Sequence, residues 1–114
     1  ANINFLPIRG NFTRGIFASA YTTFDGNIDE AYQIYEAYYA NHPFTHISKK
    51  EVSLKMVVNT NNCLIHLHKH NDLLLITSCL DNLLKGASGQ AVENMNLIFS
   101  WPQTTGLQLK ANVH

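Results

Sequence analysis

The sequence is poor in charge and has no long apolar run. Only 14% of its 114 residues are charged, and eight acidic residues balance eight basic ones. A chain without a basic excess has no electrostatic footprint for nucleic acid or for an anionic membrane. The longest apolar runs, such as 73–76, are far shorter than a membrane-spanning helix, and no charged-then-apolar signal segment opens the chain. We therefore expect a soluble, cytoplasmic protein whose partners include neither nucleic acid nor a membrane.

Several catalytic signatures are also missing from the sequence. There is no Gly-x-Ser-x-Gly elbow, no phosphate-binding Walker loop and no Gly-x-Gly-x-x-Gly after a strand. The acidic residues are few and scattered, which gives a two-carboxylate hydrolase no support. Cys63 and Cys79 lie in or beside apolar strand patterns without Cys-x-x-Cys spacing, so we expect small buried thiols.

The apolar content, 46% of residues, is enough for one compact domain spanning 1–114. Alternation and turn signals predict strands at 3–8, 16–24, 44–47, 54–58, 63–67 and 73–79, a helix at 28–41 and a final helix within 83–97. Runs of strands rather than strict strand–helix alternation favour an α+β fold, with helices packed on one face of a mostly antiparallel or mixed sheet.

Local signals fix two of these boundaries. Asn27 and Glu30 have capping-box spacing, which predicts that the first helix begins at Ile28. Asn41 suits a helix C-terminus and Pro43 cannot continue the helix. The residues at 70–72, His-Asn-Asp, predict the turn of a hairpin between the last two strands.

The loop between the first two strands carries two arginines. Arg9 and Arg14 lie within six positions, and glycines beside them leave backbone amides accessible. Guanidinium groups and free amides suit a carboxylate or a phosphate. The alternative is a solvated loop whose arginines pair with nearby acids.

The stretch 79–97 combines the end of a strand, a turn at Asp81-Asn82 and a helix that begins with small or polar side chains. Two glycines in this helix, Gly86 and Gly89, each cost about 1 kcal/mol relative to alanine. We expect them to allow close approach by another backbone or by a flat ligand, which makes the stretch a predicted contact surface.

Three histidines, His66, His68 and His70, alternate along one predicted strand and so share a face. A zinc site needs convergent ligands, whereas one flat strand spaces such side chains by about 6.5 to 7 Å. We therefore interpret the row as the solvent face of a hairpin, with Ile65 and Leu67 turned inward, and predict no metal site.

Two blocks of the sequence resemble the N-acetyl-gamma-glutamyl-phosphate reductase family. The first block has Phe-x-Pro at 5–7 and Arg-Gly-Ile at 14–16, where the family has Pro-His followed by Arg-Gly-Ile. The second block comprises Asp-Asn-Leu at 81–83, Lys-Gly-Ala at 85–87, Gly-Gln-Ala at 89–91, Asn-Met-Asn-Leu at 94–97 and Thr-Thr-Gly-Leu at 104–107. The blocks lie at opposite ends of the chain and in the order of the family, so the resemblance covers nearly all of it.

The resemblance implies that the chain is a C-terminal part of the catalytic and dimerisation domain of an NADPH-dependent reductase of arginine biosynthesis. Members of that family attack an acyl phosphate with a cysteine thiolate, release phosphate and reduce the thioester with hydride from NADPH, assisted by a histidine. Cys63 and Cys79 match neither catalytic motif, so no catalytic residue is assigned. The dinucleotide-binding domain is also absent, and we expect this portion alone to be inactive.

The resemblance also implies roles for particular residues. Arg14 would hold the phosphate or carboxylate of the substrate. Asn82, Lys85, Gly86 and Gln90 would contact NADP where the final helix returns towards the cofactor domain. In place of the family's histidine after Pro7 the chain has Ile-Arg at 8–9, which leaves Arg9 without an assigned role. The chain would bind its own N-terminal cofactor domain and form a homo-oligomer, either a dimer or a tetramer.

Two alternatives stay open at this stage. An aspartate-semialdehyde dehydrogenase-like domain shares the architecture, although it lacks the Asn-x-Asn-Leu and Thr-Thr-Gly-Leu ending. A stand-alone dimerisation or binding module could have the same fold without catalysis.

Overall fold

A computed structural model describes residues 2–8 and 10–111. Arg9, whose role the sequence leaves unassigned, lies outside the described residues. The strands and helices are β1 Asn4–Ile8, β2 Ile16–Thr23, α1 Ile28–Tyr39, β3 Thr45–Ser48, β4 Cys63–His70, β5 Leu73–Leu80 and α2 Gly89–Ile98. A 3₁₀ turn, Leu54–Met56, precedes β4, and a π-helical turn, Leu84–Ser88, leads directly into α2.

The described strands form one mixed sheet in the order β1-β2-β5-β4-β3. Three of the four pairings are antiparallel, and β3 pairs with β4 in parallel. The parallel pair requires a crossover, which the residues between β3 and β4 provide. The predicted α+β fold with a mixed sheet is confirmed.

Helix α1 begins where the capping-box spacing places it. The Asn27 side chain accepts a hydrogen bond of 2.9 Å from the Glu30 backbone N–H, and the helix ends at Tyr39. It lies against β3 and β4 and buries Ala31 and Tyr32. The core on this side of the sheet consists of Ala31, Tyr32, Ile65, Leu67 and Leu74.

The opposite face of the sheet has a second, smaller core at one end. Val52 and Val57 from the β3–β4 connection pack there against Cys79, with Phe17 and Leu64 at the margin. The predicted strand at 54–58 is therefore wrong, since this segment is a 3₁₀ turn. Three-residue spacing, rather than alternation, puts half-buried Leu54 and fully buried Val57 into the same core.

The β4–β5 hairpin has the turn that the sequence predicts. Asn71 adopts a positive φ of 55°, which asparagine tolerates better than most residues. Both strands extend further than predicted, to His70 and Leu80. Because the strands are in antiparallel register over their full length, Leu67 faces Ile76 and Cys63 faces Leu80.

The π-helical turn and α2 together form the last helical segment, Leu84–Ile98, which packs with its polar side inward. Glu93 and Asn96 face the rest of the domain, and Asn96 donates hydrogen bonds of 3.0 Å to the carbonyl oxygens of Gln103 and Thr105. Apolar residues of this segment and of the residues that follow it are exposed: Met95, Leu97, Ile98, Phe99 and Trp101. In the part of the chain that the structure describes, no helix is long and apolar enough to cross a membrane.

Candidate functional site

The Arg14–Gly15 loop is held in place by the turn that follows β5. Gly15 has a φ of +118°, and its N–H donates a hydrogen bond of 2.7 Å to Asn82 Oδ1. That conformation is rarely available to residues with a Cβ. The bond joins residues 67 positions apart and brings Arg14 and Asn82 to the same end of the sheet.

Asp81 lies at the centre of this arrangement. Its side chain is 0% exposed, and its Oδ2 lies 2.7 Å from Arg14 Nε and accepts a 2.7 Å hydrogen bond from the Asn59 N–H. Its Oδ1 accepts hydrogen bonds from the N–H groups of Leu83, at 2.8 Å, and Leu84, at 3.2 Å. One buried carboxylate thus joins the arginine loop, the turn before β4 and the start of the last helical segment.

The environment of Asp81 favours its ionised form. Burial by itself raises the pKa of the carboxyl, but the Asn59 N–H, the Arg14 guanidinium and the Leu83 N–H together lower the pKa below its ordinary value. The carboxylate is therefore a permanent counter-ion for Arg14 near neutral pH.

The Arg14 side chain is 27% exposed and lines two open cavities. The first, of about 460 Å³, includes Ile8, Phe12 and Asn82 in its lining. The second, of about 520 Å³, lies towards Leu54 and Lys55. Among the described residues, Asp81 is the only acid in contact with Arg14. The two terminal nitrogens of the guanidinium are chemically suited to bind an anion from these cavities.

Lys85 belongs to a different cluster. Its Nζ lies 2.8 Å from Glu93 Oε1, and the same carboxylate accepts hydrogen bonds from Asn61 Nδ2, at 3.0 Å, and Gln103 Nε2, at 2.8 Å. Burial raises the pKa of Glu93, but the donors Lys85, Gln103 and Asn61 outweigh it and lower the pKa overall. Lys85 is thus held by a satisfied carboxylate on its own helical segment.

The two glycines of the last helical segment differ in their surroundings. A Cβ on Gly89 would lie 2.1 Å from Asn61 Oδ1 and 2.7 Å from the Leu84 carbonyl oxygen. The close approach predicted for this segment therefore exists at Gly89, and the domain's own Asn61 fills it. Gly86 is exposed, and a Cβ there would meet nothing nearer than 3.8 Å. Gln90 is also exposed.

The structure therefore divides the residues predicted to contact substrate and cofactor. It brings Arg14 and Asn82 together through Gly15 and Asp81. Lys85 is in the Glu93 cluster, and Gly86 and Gln90 lie on the surface of the last helical segment.

The histidine row lies on the sheet face opposite α1, as alternation predicts. Ile65 and Leu67 are turned into the α1 core, which confirms the inward prediction for both. His66, however, is half-buried rather than solvated: its Nδ1 lies 3.0 Å from the Ser48 carbonyl oxygen and 3.2 Å from the Tyr32 hydroxyl. No three histidine, cysteine or acidic side chains converge on a metal site within 2–8 and 10–111.

Neither cysteine is arranged as a nucleophile. Cys79 is fully buried, as predicted, and its burial, with a contribution from Cys63, raises its pKa to about 11. A thiol with that pKa is protonated near neutral pH. Cys63 is half-buried beside Ser78.

Asp81 and Glu93, the two carboxylates that organise these clusters, were not predicted as site residues. The signal for Asp81 was the Asp-Asn pair directly after a strand, where an Asx turn accepts backbone N–H groups two and three residues on. Nothing in the sequence indicates that its second oxygen reaches Arg14, because that contact depends on the fold bringing together two distant segments.

Comparison with known families assigns the fold and its class. The family described as semialdehyde dehydrogenase, dimerisation domain, matches residues 1–82. The chain belongs to the semialdehyde dehydrogenase family through this domain.

Curated relatives narrow the similarity further. The chain is 58% identical over 110 residues to the N-acetyl-gamma-glutamyl-phosphate reductase of Bacteroides fragilis, covering 96% of the chain and 34% of the relative. It is 59% identical to the protein of the same name from Parabacteroides distasonis, with the same coverage of 96% and 34%. It is 49% identical over 108 residues to that of Karelsulcia muelleri, covering 95% of the chain and 33% of the relative. The chain thus spans about a third of the length of these relatives.

Proposed function

We propose that the chain is the C-terminal third of an NADPH-dependent reductase that converts N-acetyl-gamma-glutamyl phosphate into N-acetylglutamate semialdehyde and phosphate in arginine biosynthesis. The observation that carries the proposal is Arg14, which pairs through Nε with buried Asp81 and lines two open cavities. The names of the relatives indicate which anion it would meet.

In this proposal Arg14 binds an anionic group of the substrate. The acyl phosphate offers two candidates, the phosphate and the carboxylate, and a guanidinium binds either through two parallel N–H donors. A phosphate bound in this way would be stabilised as it leaves the carbonyl carbon. The thiolate and the acid/base histidine would come from the rest of the polypeptide, because Cys79 is buried and protonated.

The experiment is to replace Arg14 with Lys in a full-length enzyme, made by grafting this chain in place of the matching third of the Bacteroides fragilis reductase. An ammonium does not reproduce the planar fork, so kcat/KM for the acyl phosphate should fall by roughly 10- to 100-fold. Unchanged kcat/KM would exclude Arg14 from substrate binding.

The reverse reaction distinguishes the two anions. Run from aldehyde, phosphate and NADP⁺, the enzyme takes phosphate as a separate substrate. If Arg14 binds the phosphate, Arg14→Lys raises the KM for inorganic phosphate and leaves that for the semialdehyde near its parent value. If it binds the carboxylate, the pattern is reversed.

NADP is the proposed cofactor, with Asn82, Lys85, Gly86 and Gln90 at the nicotinamide end. Exposed Gly86 and Gln90 leave a low surface that a flat ring could approach. Gly86→Ala tests this well, because the added methyl meets no protein atom nearer than 3.8 Å and should leave the fold intact. We expect a higher KM for NADPH in the grafted enzyme. An unchanged NADPH KM in Gly86→Ala, Lys85→Ala and Gln90→Ala would remove this segment from the cofactor site.

The proposed intramolecular partner is the enzyme's own N-terminal cofactor domain. The exposed apolar side of the last helical segment supports this. Glu93 and Asn96 face inward, and Leu97 and Ile98 face outward. An exposed apolar helix face of this kind is suited to pack against another domain. Phe99 and Trp101 extend the same surface with stacked rings 5.1 Å apart.

A homo-oligomer, dimer or tetramer, is proposed on the strength of the family's description as a dimerisation domain. Cytoplasmic location is proposed with it, because the relatives are named for an amino-acid precursor, and subcellular fractionation of the source cell tests it.

A further inference from the structure

Asp81 contacts Arg14 in a way that leaves one edge of the guanidinium unused. The carboxylate meets Nε at 2.7 Å, on the side of the group that points back along the side chain. The two terminal nitrogens form a separate edge of the guanidinium, and this edge can bind an anion with two parallel hydrogen bonds. This ion pair fixes the position of Nε beside Asp81 without using the two terminal nitrogens that a ligand needs.

The carboxylate is itself held rigidly. Both oxygens accept backbone hydrogen bonds, from Asn59 on one side and from Leu83 and Leu84 on the other. Asn59 has a φ of 68°, so the turn that supplies this donor is also shaped for the contact. The side chain is 0% exposed, and water does not compete for its lone pairs. A fixed carboxylate of this kind can orient an arginine that solvent would otherwise leave mobile.

We infer that Asp81 is a positioning residue, which holds the Arg14 guanidinium by a short ion pair beside the open cavities, where its two terminal nitrogens bind the anionic group of the substrate. This inference rests on the proposed role of Arg14. In this inference Asp81 does not touch the substrate, and its effect on substrate binding passes through Arg14.

The test measures KM and kcat in the grafted full-length enzyme for Asp81→Asn, Arg14→Lys and the double variant. Asp81→Asn should raise the KM for the acyl phosphate by roughly tenfold or more, the size expected for a charge-assisted contact, with the KM for NADPH near the parent value. The double variant should be no worse than Arg14→Lys, because both changes remove the same oriented contact.

Tyr32→Phe is the matched control for lost stability. It removes a buried hydroxyl that donates a 2.9 Å hydrogen bond to the Leu67 carbonyl oxygen, in the core on the other side of the sheet. It should lower the unfolding temperature without changing the KM for the acyl phosphate. If Asp81→Asn behaves like this control while Arg14→Lys raises KM, Asp81 is only structural and the inference is overturned, although the proposed function stands. If Arg14→Lys leaves KM unchanged, the proposed role of Arg14 fails, and the inference fails with it.

Chemical rescue covers the case in which Asp81→Asn does not fold. Arg14→Ala opens the space beside Asp81 to the two cavities, and added ethylguanidinium should occupy it and lower the KM for the acyl phosphate again. Ethylammonium should not, because it cannot bind Asp81 and an anion in one plane. Absence of rescue by ethylguanidinium, or equal rescue by ethylammonium, would contradict the inference.

Discussion

At the scale of single residues, the conformation of Gly15 decides where Arg14 lies. Its φ of +118° turns the chain so that its own N–H reaches Asn82 while Arg14, one residue earlier, reaches Asp81. The glycine is needed twice over, since an added Cβ would also lie 2.7 Å from a methyl carbon of Leu54. Backbone strain and packing therefore act at one position.

Gly15→Ala should lower the free energy of unfolding by about 2 to 4 kcal/mol, as the sum of a strained φ and an overpacked contact. Urea unfolding of the chain measures it. The matched control is Gly106→Ala, where φ is +75° and no atom lies within 4 Å of the added Cβ. That variant should lose only about 1 kcal/mol, the cost of the left-handed conformation. Equal losses at the two positions would show that the Leu54 contact contributes nothing.

At the scale of elements, the last helical segment joins a π-helical turn to α2, and its two glycines serve different purposes. Gly89 sits at the junction, where Asn61 from the turn before β4 packs directly on its backbone. The Asn61 amide then reaches Glu93 one turn further along α2. The polar side chains of α2 face the domain, so hydrogen bonds rather than apolar contacts hold the helix in place.

Alanine substitutions at the two glycines should change the stability of the chain in opposite directions. Gly89→Ala should destabilise the chain by about 2 kcal/mol or more, because the methyl group displaces Asn61 and with it the hydrogen bond to the Glu93 carboxylate. Gly86→Ala should stabilise it by about 0.5 to 1 kcal/mol, the helix propensity gained at an uncrowded position. Thermal unfolding of the two variants side by side checks the contrast, and a loss of stability in Gly86→Ala would contradict it.

At the scale of the whole molecule, two carboxylates make stability depend on pH: Asp81, which is buried, and Glu93, which is half-buried. The pKa values of Asp81 and Glu93 are lowered from ordinary values of 3.8 and 4.5. As the pH falls through that range, the unfolded chain takes up protons at these groups before the folded protein does. Their contribution to stability is therefore complete above the ordinary pKa values and is lost as the pH falls towards the lowered ones.

We expect the free energy of unfolding to fall steeply below about pH 4.5, the ordinary range of the two carboxyls. Glu93→Gln should be less stable than the parent near neutral pH, and the difference should shrink as the pH falls. Glu36→Gln is the control, because Glu36 forms only an exposed pair with Lys49 at 3.9 Å and its loss should cost less than about 1 kcal/mol. Urea unfolding over a pH series measures all three, and a gap between Glu93→Gln and the parent that does not change with pH would contradict the argument.

The sheet face opposite α1 gives a prediction about assembly. The 49–58 segment covers only one end of it, and apolar side chains of β1, β2 and β5 remain accessible there, including Leu6, Tyr21 and Leu75. A charged side chain introduced in the middle of this apolar face should prevent a second copy of the protein from packing on it. Leu75→Glu should therefore sediment as a smaller species than the parent full-length protein. Ile34→Glu, on the exposed side of α1, should leave the sedimentation coefficient unchanged, and identical behaviour of both variants would exclude this face as the interface.

The sequence by itself determined the features that depend on near neighbours. The Asn27 cap, the turn at Asn71 and the alternation of Ile65 and Leu67 are local, because a helix start, a hairpin and a strand face are set by residues a few positions apart. The sequence blocks at both ends were sufficient to indicate the resemblance, which the family match over 1–82 and the curated relatives of 58% and 59% identity over 96% of the chain confirm.

Tertiary structure alone decided the rest. It made 54–56 a 3₁₀ turn, since this conformation puts both Leu54 and Val57 into the core beside Cys79. It also selected Asp81 as the partner of Arg14 and Asn61 as a partner of Glu93. The Arg14 contact spans 67 positions of sequence, and the Glu93 cluster includes Asn61 from a distant turn. Long-range contacts of this kind depend on the register and order of all the strands between them, and no local pattern encodes that.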